Sequence, residues 1–334
     1  MTSFQAFRIH DDENGYRGDI EQIQTDTLTP GEVLVKVAWS SVNYKDALAG
    51  TGKGRILRSY PLNGGVDLAG VVVASEDPAF REGDKVLCTG CGLSETLDGG
   101  YAEYARLPSR WAIPLPQGLS LRAAMQLGTA GFTAALALLR MEENRQQPDL
   151  GPIAITGASG GVGMLAIDIF SAAGYAVHAI SGKADCADRL RQLGAAEVLD
   201  RSALAAAIKP LERAQYGGAL DNVGGPALTA LLPRIVPYGN LAICGNAGGI
   251  KVETTVLPWI LRGVSVLGIA SAGTARDIRD RVWERLAGPW KPRHLDTITT
   301  AVVSLEQLPA VFEKMLAGES FGRTLVRVGG EEPA

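Results

Sequence analysis

The chain is poor in cysteine, poor in histidine and free of long apolar runs, and each shortage removes a class of protein. Four cysteines in 334 residues are too sparse for the disulfide framework of a small secreted domain. Three histidines, His10, His178 and His294, lie far apart without ligand spacing, so no histidine-built metal site is expected. No stretch approaches the roughly 20 consecutive apolar residues of a membrane span. The opening Met1-Thr2-Ser3-Phe4-Gln5 has no basic segment followed by an apolar one, and a cytoplasmic protein is the expectation. A net charge of -4 carries no bias toward nucleic acid or anionic membranes. What is present is ordinary globular material, 46% hydrophobic and 20% charged, in a length that suggests two domains.

From Phe4 to about Leu121 the signals are short and strand-like. Gly31 to Trp39 alternates, Val66 to Ala74 is rich in β-branched residues, and turns at Arg81-Glu82-Gly83-Asp84 and Asp98-Gly99-Gly100 separate strands at Lys85 to Cys88 and Tyr101 to Ala105. This predicts a mostly β, partly closed barrel. Helical spacing begins at Leu121, over Arg122 to Leu127 and Gly131 to Met141. Strand and helix then alternate: strands at Ile153 to Thr156, Tyr175 to Ile180, Glu197 to Asp200, Gly218 to Val223, Asn240 to Cys244 and Ser265 to Ala270, with helices at Met164 to Ala173, Ala187 to Leu193 and Pro226 to Val236. That order predicts a doubly wound parallel sheet. Helices at Ala275 to Ala287 and Leu305 to Leu316 and a strand at Thr324 to Val328 are expected to return to the first domain, and Gly329 to Ala334 reads as a loose tail. The fold class is α/β, with a β domain over residues 1–122 and 273–334 and a Rossmann domain over 123–272.

The stretch that carries chemistry runs from Ile153 to Lys183. Between its first strand and helix lies Gly157-Ala158-Ser159-Gly160-Gly161-Val162-Gly163. A turn without side chains lets backbone N–H groups approach a pyrophosphate, and the helix start adds unpaired donors and a positive dipole end. Gly160 and Gly163 fit the second and third glycines of the dinucleotide fingerprint, and Ala158 stands where the first would be. At the end of the second strand an NAD site needs an acid for the ribose hydroxyls, whereas this chain has Ser181-Gly182-Lys183. A hydroxyl, a bare backbone and a cation suit the extra phosphate of NADP. NADPH is therefore the expected cofactor, with Arg201 as a second cation; solvated surface charge is the alternative for Lys183 and Arg201.

Several separate motifs in order make the chain resemble the zinc-independent quinone-oxidoreductase branch of the medium-chain dehydrogenase/reductase superfamily, and within it the acrylyl-CoA reductases. They are Asn43-Tyr44-Lys45-Asp46, Gly128-Thr129-Ala130-Gly131-Phe132-Thr133-Ala134, the glycine turn, Ser181-Gly182-Lys183, Leu257 to Gly263 and Gly322-Arg323-Thr324. The resemblance implies a GroES-like catalytic domain, a homodimer, NADPH as hydride donor and an active site in the cleft between the domains. By position it implies Ser159, Gly160, Gly161 and Val162 at the pyrophosphate, and Ser181, Gly182, Lys183 and Arg201 at the adenosine phosphate. It implies Tyr44, Thr129, Gly245, Asn246, Ser271 and Arg323 at other parts of the cofactor. Two positions depart from the pattern: Ala270 stands where look-alikes often carry Asp, and Lys183 where they usually carry Arg, offering a point charge in place of a fork.

Zinc-using relatives have Cys at the position of Asn43 and Gly-His-Glu where this chain has Gly65-Val66-Asp67. Thiolate and imidazole are both gone, so catalytic zinc is not expected. Cys88 and Cys91 have the spacing of half a structural zinc site, without the other half. Hydride transfer to a conjugated carbon is the natural reaction without a metal, and the β-carbon of a 2-enoyl thioester or a quinone would accept it. Tyr44 is the first candidate for a phenol at the reacting carbon, as proton donor or as a wall beside the nicotinamide. Asn43 and Lys45 follow, and Asp46 is expected to orient its neighbours. The bland alternatives are a turn and helix start for the tetrad and a helix N-cap for Thr129. Lys53, Arg55 and Arg58 would meet CoA phosphates or form an exposed cationic loop. A dimer that binds NADPH without catalysis is the competing reading of another class.

Overall fold

The computed structural model describes residues 2–13, 15–204 and 209–329; the expected tail beyond Gly329 lies outside the described residues. The chain divides into two compact units: Met1–Thr129 with Ala272–Ala287 and Thr299–Ala334, and Ala130–Ser271 with Gly288–Ile298. Apart from Ala272, which falls in the first unit, this division departs from the sequence-based boundaries in two places. Residues 123–129 belong with the first unit, where Thr129 is bound to Asp67. Residues 288–298 belong with the second, where the His294 N–H donates to Asp168 at 2.9 Å.

In the first unit the strand Val33–Ser41 is the spine. It pairs antiparallel with Asp67–Ser75, Tyr104–Leu107 and Arg323–Arg327, and the sheet continues through Lys85–Thr89 to Ile113–Pro114 on one side and to Thr299–Val303 on the other. Alternation decides which side chains turn inward. Val33, Val35 and Val37 are fully buried against Leu68, Val72 and Val86. A hairpin of Ser3–Asp12 and Gly15–Gln24 adds Leu62–Asn63 at its far edge. The helix Tyr44–Thr51 is seated on a second apolar cluster containing Phe7, Ala47, Ala49, Tyr101 and Phe312. Phe312 meets Phe7 edge-on at 5.8 Å, and each buried ring of this kind stabilises the fold by about 1.5–3 kcal/mol. The helix that starts at the Asn43-Tyr44-Lys45-Asp46 tetrad is thus held by packing, with its first turn left for polar work.

The second unit carries a parallel sheet of six strands among the described residues, in the order Ala195–Asp200, Val177–Ser181, Ile153–Thr156, Tyr216–Asp221, Ile235–Ile243, Ser265–Gly268. Read by sequence, strands three, two and one are followed by four, five and six, so the direction of winding reverses beside Ile153–Thr156. Ile153, Ala154 and Ile155 have no exposure, as a strand covered on both faces requires.

Three expectations about elements are corrected. The helix after the glycine turn is Gly161–Ala172, beginning earlier than Met164, because the turn's last glycines already have helical backbone. The helix expected over Pro226 to Val236 stops at Leu231 and tightens into a short 3-10 turn, Leu232–Arg234, with Pro233 in it; the next strand starts at Ile235, not Asn240. The two helices expected around residue 128 form one element, Leu121–Glu143, broken at Gly128. Among the described residues no helix is long and apolar enough to cross a membrane.

Candidate active site

The tetrad in the first unit begins a helix, and its side chains divide sharply in their commitments. Asn43 is the N-cap, and its N–H donates to Asp46 Oδ2 at 2.8 Å, a carboxylate contact that also suits the positive helix end. Asn43 Nδ2 donates to Asp67 Oδ2 at 2.8 Å and Asp46 Oδ2 at 3.2 Å, while its Oδ1 accepts from Arg323 at 3.2 Å. Lys45 is half-buried and paired with Glu95; burial lowers its pKa from the ordinary lysine range. Asp46 is buried and accepts the Val66 N–H at 2.9 Å. Burial first, and the Asp67 charge second, push its carboxyl up to about 7. Tyr44 is 42% exposed, and no contact ties its phenol to another described residue.

Beneath the tetrad lies a charged cluster that the local sequence did not announce. Asp67 has no solvent exposure. Its Oδ2 accepts from Ser41 Oγ at 2.6 Å, Asn43 Nδ2 at 2.8 Å and the Thr129 N–H at 2.9 Å; its Oδ1 accepts from Thr129 Oγ1 at 2.5 Å. Arg323, 2% exposed, lies 3.9 Å from Asp67 Oδ2. Its guanidinium also donates to Ser41 Oγ at 2.6 Å, the Val42 carbonyl at 3.0 Å and the Gln126 carbonyl at 3.2 Å. Burial lowers the Arg323 pKa, and the neighbouring Asp67 charge opposes that shift. Gly128 closes over the cluster with φ 51 and ψ -156, where only glycine is comfortable. A methyl group there would fall 2.6 Å from Arg323 Nη2, Asp67 Oδ2 and Ser41 Oγ alike.

Arg323, expected at the cofactor, is therefore an interior residue. Thr129 donates its hydroxyl to Asp67 Oδ1. Asp67 is the residue that sequence reading missed. Its place in the Gly65-Val66-Asp67 triplet was a signal, read there only as the loss of a zinc ligand.

In the second unit the glycine turn binds itself into shape. Gly157 takes φ 57, so the left-handed residue is Gly157, one position before Ala158. The Gly160 N–H returns to the Gly157 carbonyl at 3.0 Å, and the helix makes its first internal bond from the Met164 N–H to Gly160. Donors of Gly161, Val162 and Gly163 precede that bond and point out of the helix end. A Cβ on Gly163 would come within 2.4 Å of the Gly157 carbonyl, so the third glycine serves close packing.

A cavity of about 490 Å³ extends from this turn. Ser159, Ser181, Gly182, Arg201 and Ala227 are among the residues that line it. Ser181 Oγ donates to Ser159 Oγ at 3.2 Å and accepts the Lys183 N–H at 3.1 Å. The Arg201 side chain runs beside Gly182, since a Cβ on that glycine would lie 2.9 Å from Arg201 Cδ. Asp200 lines the same cavity. The Thr156 hydroxyl donates to Asp221 Oδ1 at 2.6 Å, and Asn222 Nδ2 donates to the Thr156 carbonyl at 2.7 Å; these bonds fix the two strands where the winding reverses. Gly245 packs on Asn222, Asn246 follows it, and Ser271 begins the short turn Ser271–Gly273. Backbone donors, hydroxyls and the Arg201 cation around a cavity at a helix start form a donor set that fits a phosphorylated dinucleotide.

Comparison with known proteins agrees with both units. Residues 29–117 match the alcohol dehydrogenase GroES-like domain, and residues 161–288 match the family described as zinc-binding dehydrogenase. Together they define an alcohol-dehydrogenase-type oxidoreductase. Bacillus subtilis YhfP, whose name is that of a quinone oxidoreductase, is 45% identical over 98% of this chain and 99% of its own. Its structure with NAD bound has a TM-score of 0.94, covering 98% of this chain and 100% of that one. The acrylyl-CoA reductase AcuI of Ruegeria pomeroyi is 39% identical over 97% of this chain and 99% of its own. The yhdH oxidoreductase of Salmonella enterica, solved with NADP, is 40% identical with a TM-score of 0.94, covering 97% of this chain and all of that one. The chain belongs to the medium-chain dehydrogenase/reductase superfamily, in the quinone-oxidoreductase branch that includes the acrylyl-CoA reductases.

Proposed function

We propose that this protein is an NADPH-dependent reductase of short 2-enoyl-CoA thioesters, converting acrylyl-CoA to propanoyl-CoA without zinc. NADPH, when bound, supplies the hydride. Ser159 to Val162 would hold its pyrophosphate through backbone donors, and Ser181, Gly182, Lys183 and Arg201 its adenosine phosphate. The AcuI and YhdH relatives support this reading.

The observation that carries the zinc-free chemistry is the commitment of Asp67. Both of its oxygens accept hydrogen bonds, a guanidinium lies 3.9 Å away, and an amide stands where a thiolate would be needed. A divalent cation would meet a positive neighbour and no soft ligand. Chemistry at this site then rests on uncharged donors.

In the substrate, hydride adds at the β-carbon, the double-bond electrons move onto the thioester oxygen, and a proton arrives at the α-carbon. Asn43 and Asp46 are occupied in holding the helix start and Lys45 faces Glu95, so Tyr44 is the tetrad member with an uncommitted donor. Its phenol delivers the proton or walls the nicotinamide. Lys53, Arg55 and Arg58 are exposed and would meet CoA phosphates. A homodimer is proposed as well. The strand Ser265–Gly268 is a sheet edge, and Val256, Ile260, Leu261 and Val266 expose apolar surface close to it in sequence, a combination that seeks a second copy. Sedimentation as a 35.1 kDa species at micromolar concentration would remove that part.

The test is the initial rate of NADPH oxidation with acrylyl-CoA, crotonyl-CoA, free acrylate and a soluble quinone, repeated with NADH. Acrylyl-CoA is expected to exceed free acrylate strongly, since remote binding energy positions the reacting end. Turnover of the quinone alone would replace this reading with NADPH:quinone reduction, in line with the quinone oxidoreductase in the name of YhfP. NADPH binding without turnover of any acceptor would support a non-catalytic role.

A further inference from the structure

The Cys88-Thr89-Gly90-Cys91 stretch lacks the other half of a zinc site, but two thiols are enough for a different chemistry. Cys88 ends the strand Lys85–Thr89 together with Thr89 and has no solvent exposure. Beyond the strand the chain turns sharply. Gly90 and Cys91 both have left-handed backbone, φ 70 and φ 55, a conformation uncommon for a residue with a side chain. The Gly90 N–H donates to the Val66 carbonyl at 2.7 Å and the Cys91 N–H to the Ala272 carbonyl at 3.2 Å, and Cys91 Sγ lies 3.5 Å from the Thr89 carbonyl oxygen. The turn brings the two thiols into one apolar cluster, where they are hydrogen-bonded to each other.

A cation stands beside the pair. Arg279, from the helix Arg276–Ala287, has no exposure, and its guanidinium donates to the Thr89 carbonyl at 2.7 Å and the Ala272 carbonyl at 3.2 Å. These are the two carbonyls that Cys91 also meets. The hydrogen bond from Cys88 foremost, with the Arg279 charge after it, draws the Cys91 thiol below its ordinary value against the opposing effect of burial. The same bond, and burial after it, hold the proton on Cys88. Cys91 retains 7% exposure, so a small oxidant meets it before Cys88. The other two cysteines are in the opposite condition. Burial raises the Cys186 thiol and pushes the Cys244 thiol up to about 12, and the neighbouring Asp185 and Asp221 carboxylates add to the effect.

We propose that Cys88 and Cys91 are a redox site that closes to a disulfide on meeting a hydroperoxide. The Cys91 thiolate attacks one oxygen of hydrogen peroxide, the O–O bond breaks, and the sulfur becomes a sulfenic acid; the departing hydroxide takes up the proton that Cys91 released and becomes water. Cys88 then attacks the sulfenic sulfur. The S–S bond forms, the S–O bond breaks, and the Cys88 proton leaves with the hydroxyl as a second water. The two thiols lose two electrons and the peroxide gains them. A small dithiol reverses the change by exchange. The site uses neither nucleotide nor enoyl substrate, so it stands apart from the reductase reading and does not rest on it.

The experiment treats the full chain with a few equivalents of hydrogen peroxide, removes the excess with catalase, alkylates in denaturant with N-ethylmaleimide and maps the products by mass spectrometry. Wild type is expected to lose two of its four thiols, to gain one Cys88–Cys91 disulfide within the chain, and to recover both thiols with dithiothreitol, while Cys186 and Cys244 are still alkylated. Cys88→Ser should stop at a sulfenic acid on Cys91, trapped by dimedone. Cys91→Ser should lose the Cys88 thiol at least about tenfold more slowly than wild type, since a buried, protonated thiol is a poor nucleophile. The proposal is overturned if all four thiols survive, if Cys186 or Cys244 is consumed first, if the bond forms between chains, or if Cys91→Ser oxidises at the wild-type rate. Should either variant fail to fold, the map of the wild type alone decides, because it locates the bond.

Discussion

In the first unit Asn43, Asp46, Asp67, Thr129 and Arg323 direct their polar atoms at one another; in the second, Ser159, Ser181 and Arg201 border a cavity with backbone donors beside it. Both arrangements are polar, and they differ in who the partner is. The first is closed and complete, so it orders the protein. The second leaves hydrogen-bonding capacity for a ligand. A buried group tells of architecture until something in its network is aimed outward, and Tyr44, 42% exposed, is where that happens in the first unit.

The contrast can be broken most directly at Arg323. Arg323→Leu removes one member of a buried pair and leaves Asp67 charged and unmatched, which should cost about 3–5 kcal/mol in urea unfolding. A loss below about 1 kcal/mol would mean that the cluster does not order the first unit. Next in size is a pH effect at Asp46. Its folded pKa of about 7 lies above the unfolded value of 3.8. It therefore contributes stability that is fully present below pH 3.8 and lost as pH rises through about 7. The stability of wild type relative to Asp46→Asn should fall across that window, with a slope on the order of 1.4 kcal/mol per pH unit where it is steepest. A flat difference between pH 5 and 8 would show that the carboxyl ionises without hindrance, against the closed picture. The smallest effect belongs to the open site. Lys183→Ala should weaken NADPH binding about tenfold, roughly 1.4 kcal/mol, leave NADH binding unchanged, and leave stability within about 0.5 kcal/mol. Equal weakening of both nucleotides would take the adenosine phosphate away from this lysine.

The same contrast explains what could be read from the sequence. The second unit's glycine turn, the helix after it and the Ser181-Gly182-Lys183 ending are contiguous, and their spacing carries their meaning; only end positions shifted, as at Gly161 and Ile235. The α/β class with its two kinds of sheet was legible from strand spacing and from the alternation after Ile153. The first unit's cluster was not. Ser41 meets Asp67 across 26 positions, Asp67 meets Thr129 across 62 and Arg323 meets Ser41 across 282, distances at which no local pattern exists. Arg323 was accordingly expected at the cofactor and Asp67 was noticed only for the zinc ligand it is not.

The break in the Leu121–Glu143 helix at Gly128 also bears on how such a sequence can drift. A side chain at 128 would enter the space shared by Ser41, Asp67 and Arg323, so no single substitution there is harmless while those three remain. A change at any one of the three, in turn, strands the other two. These four positions, distant along the chain, constrain one another: a lineage that altered one would be expected to carry compensating changes at the rest.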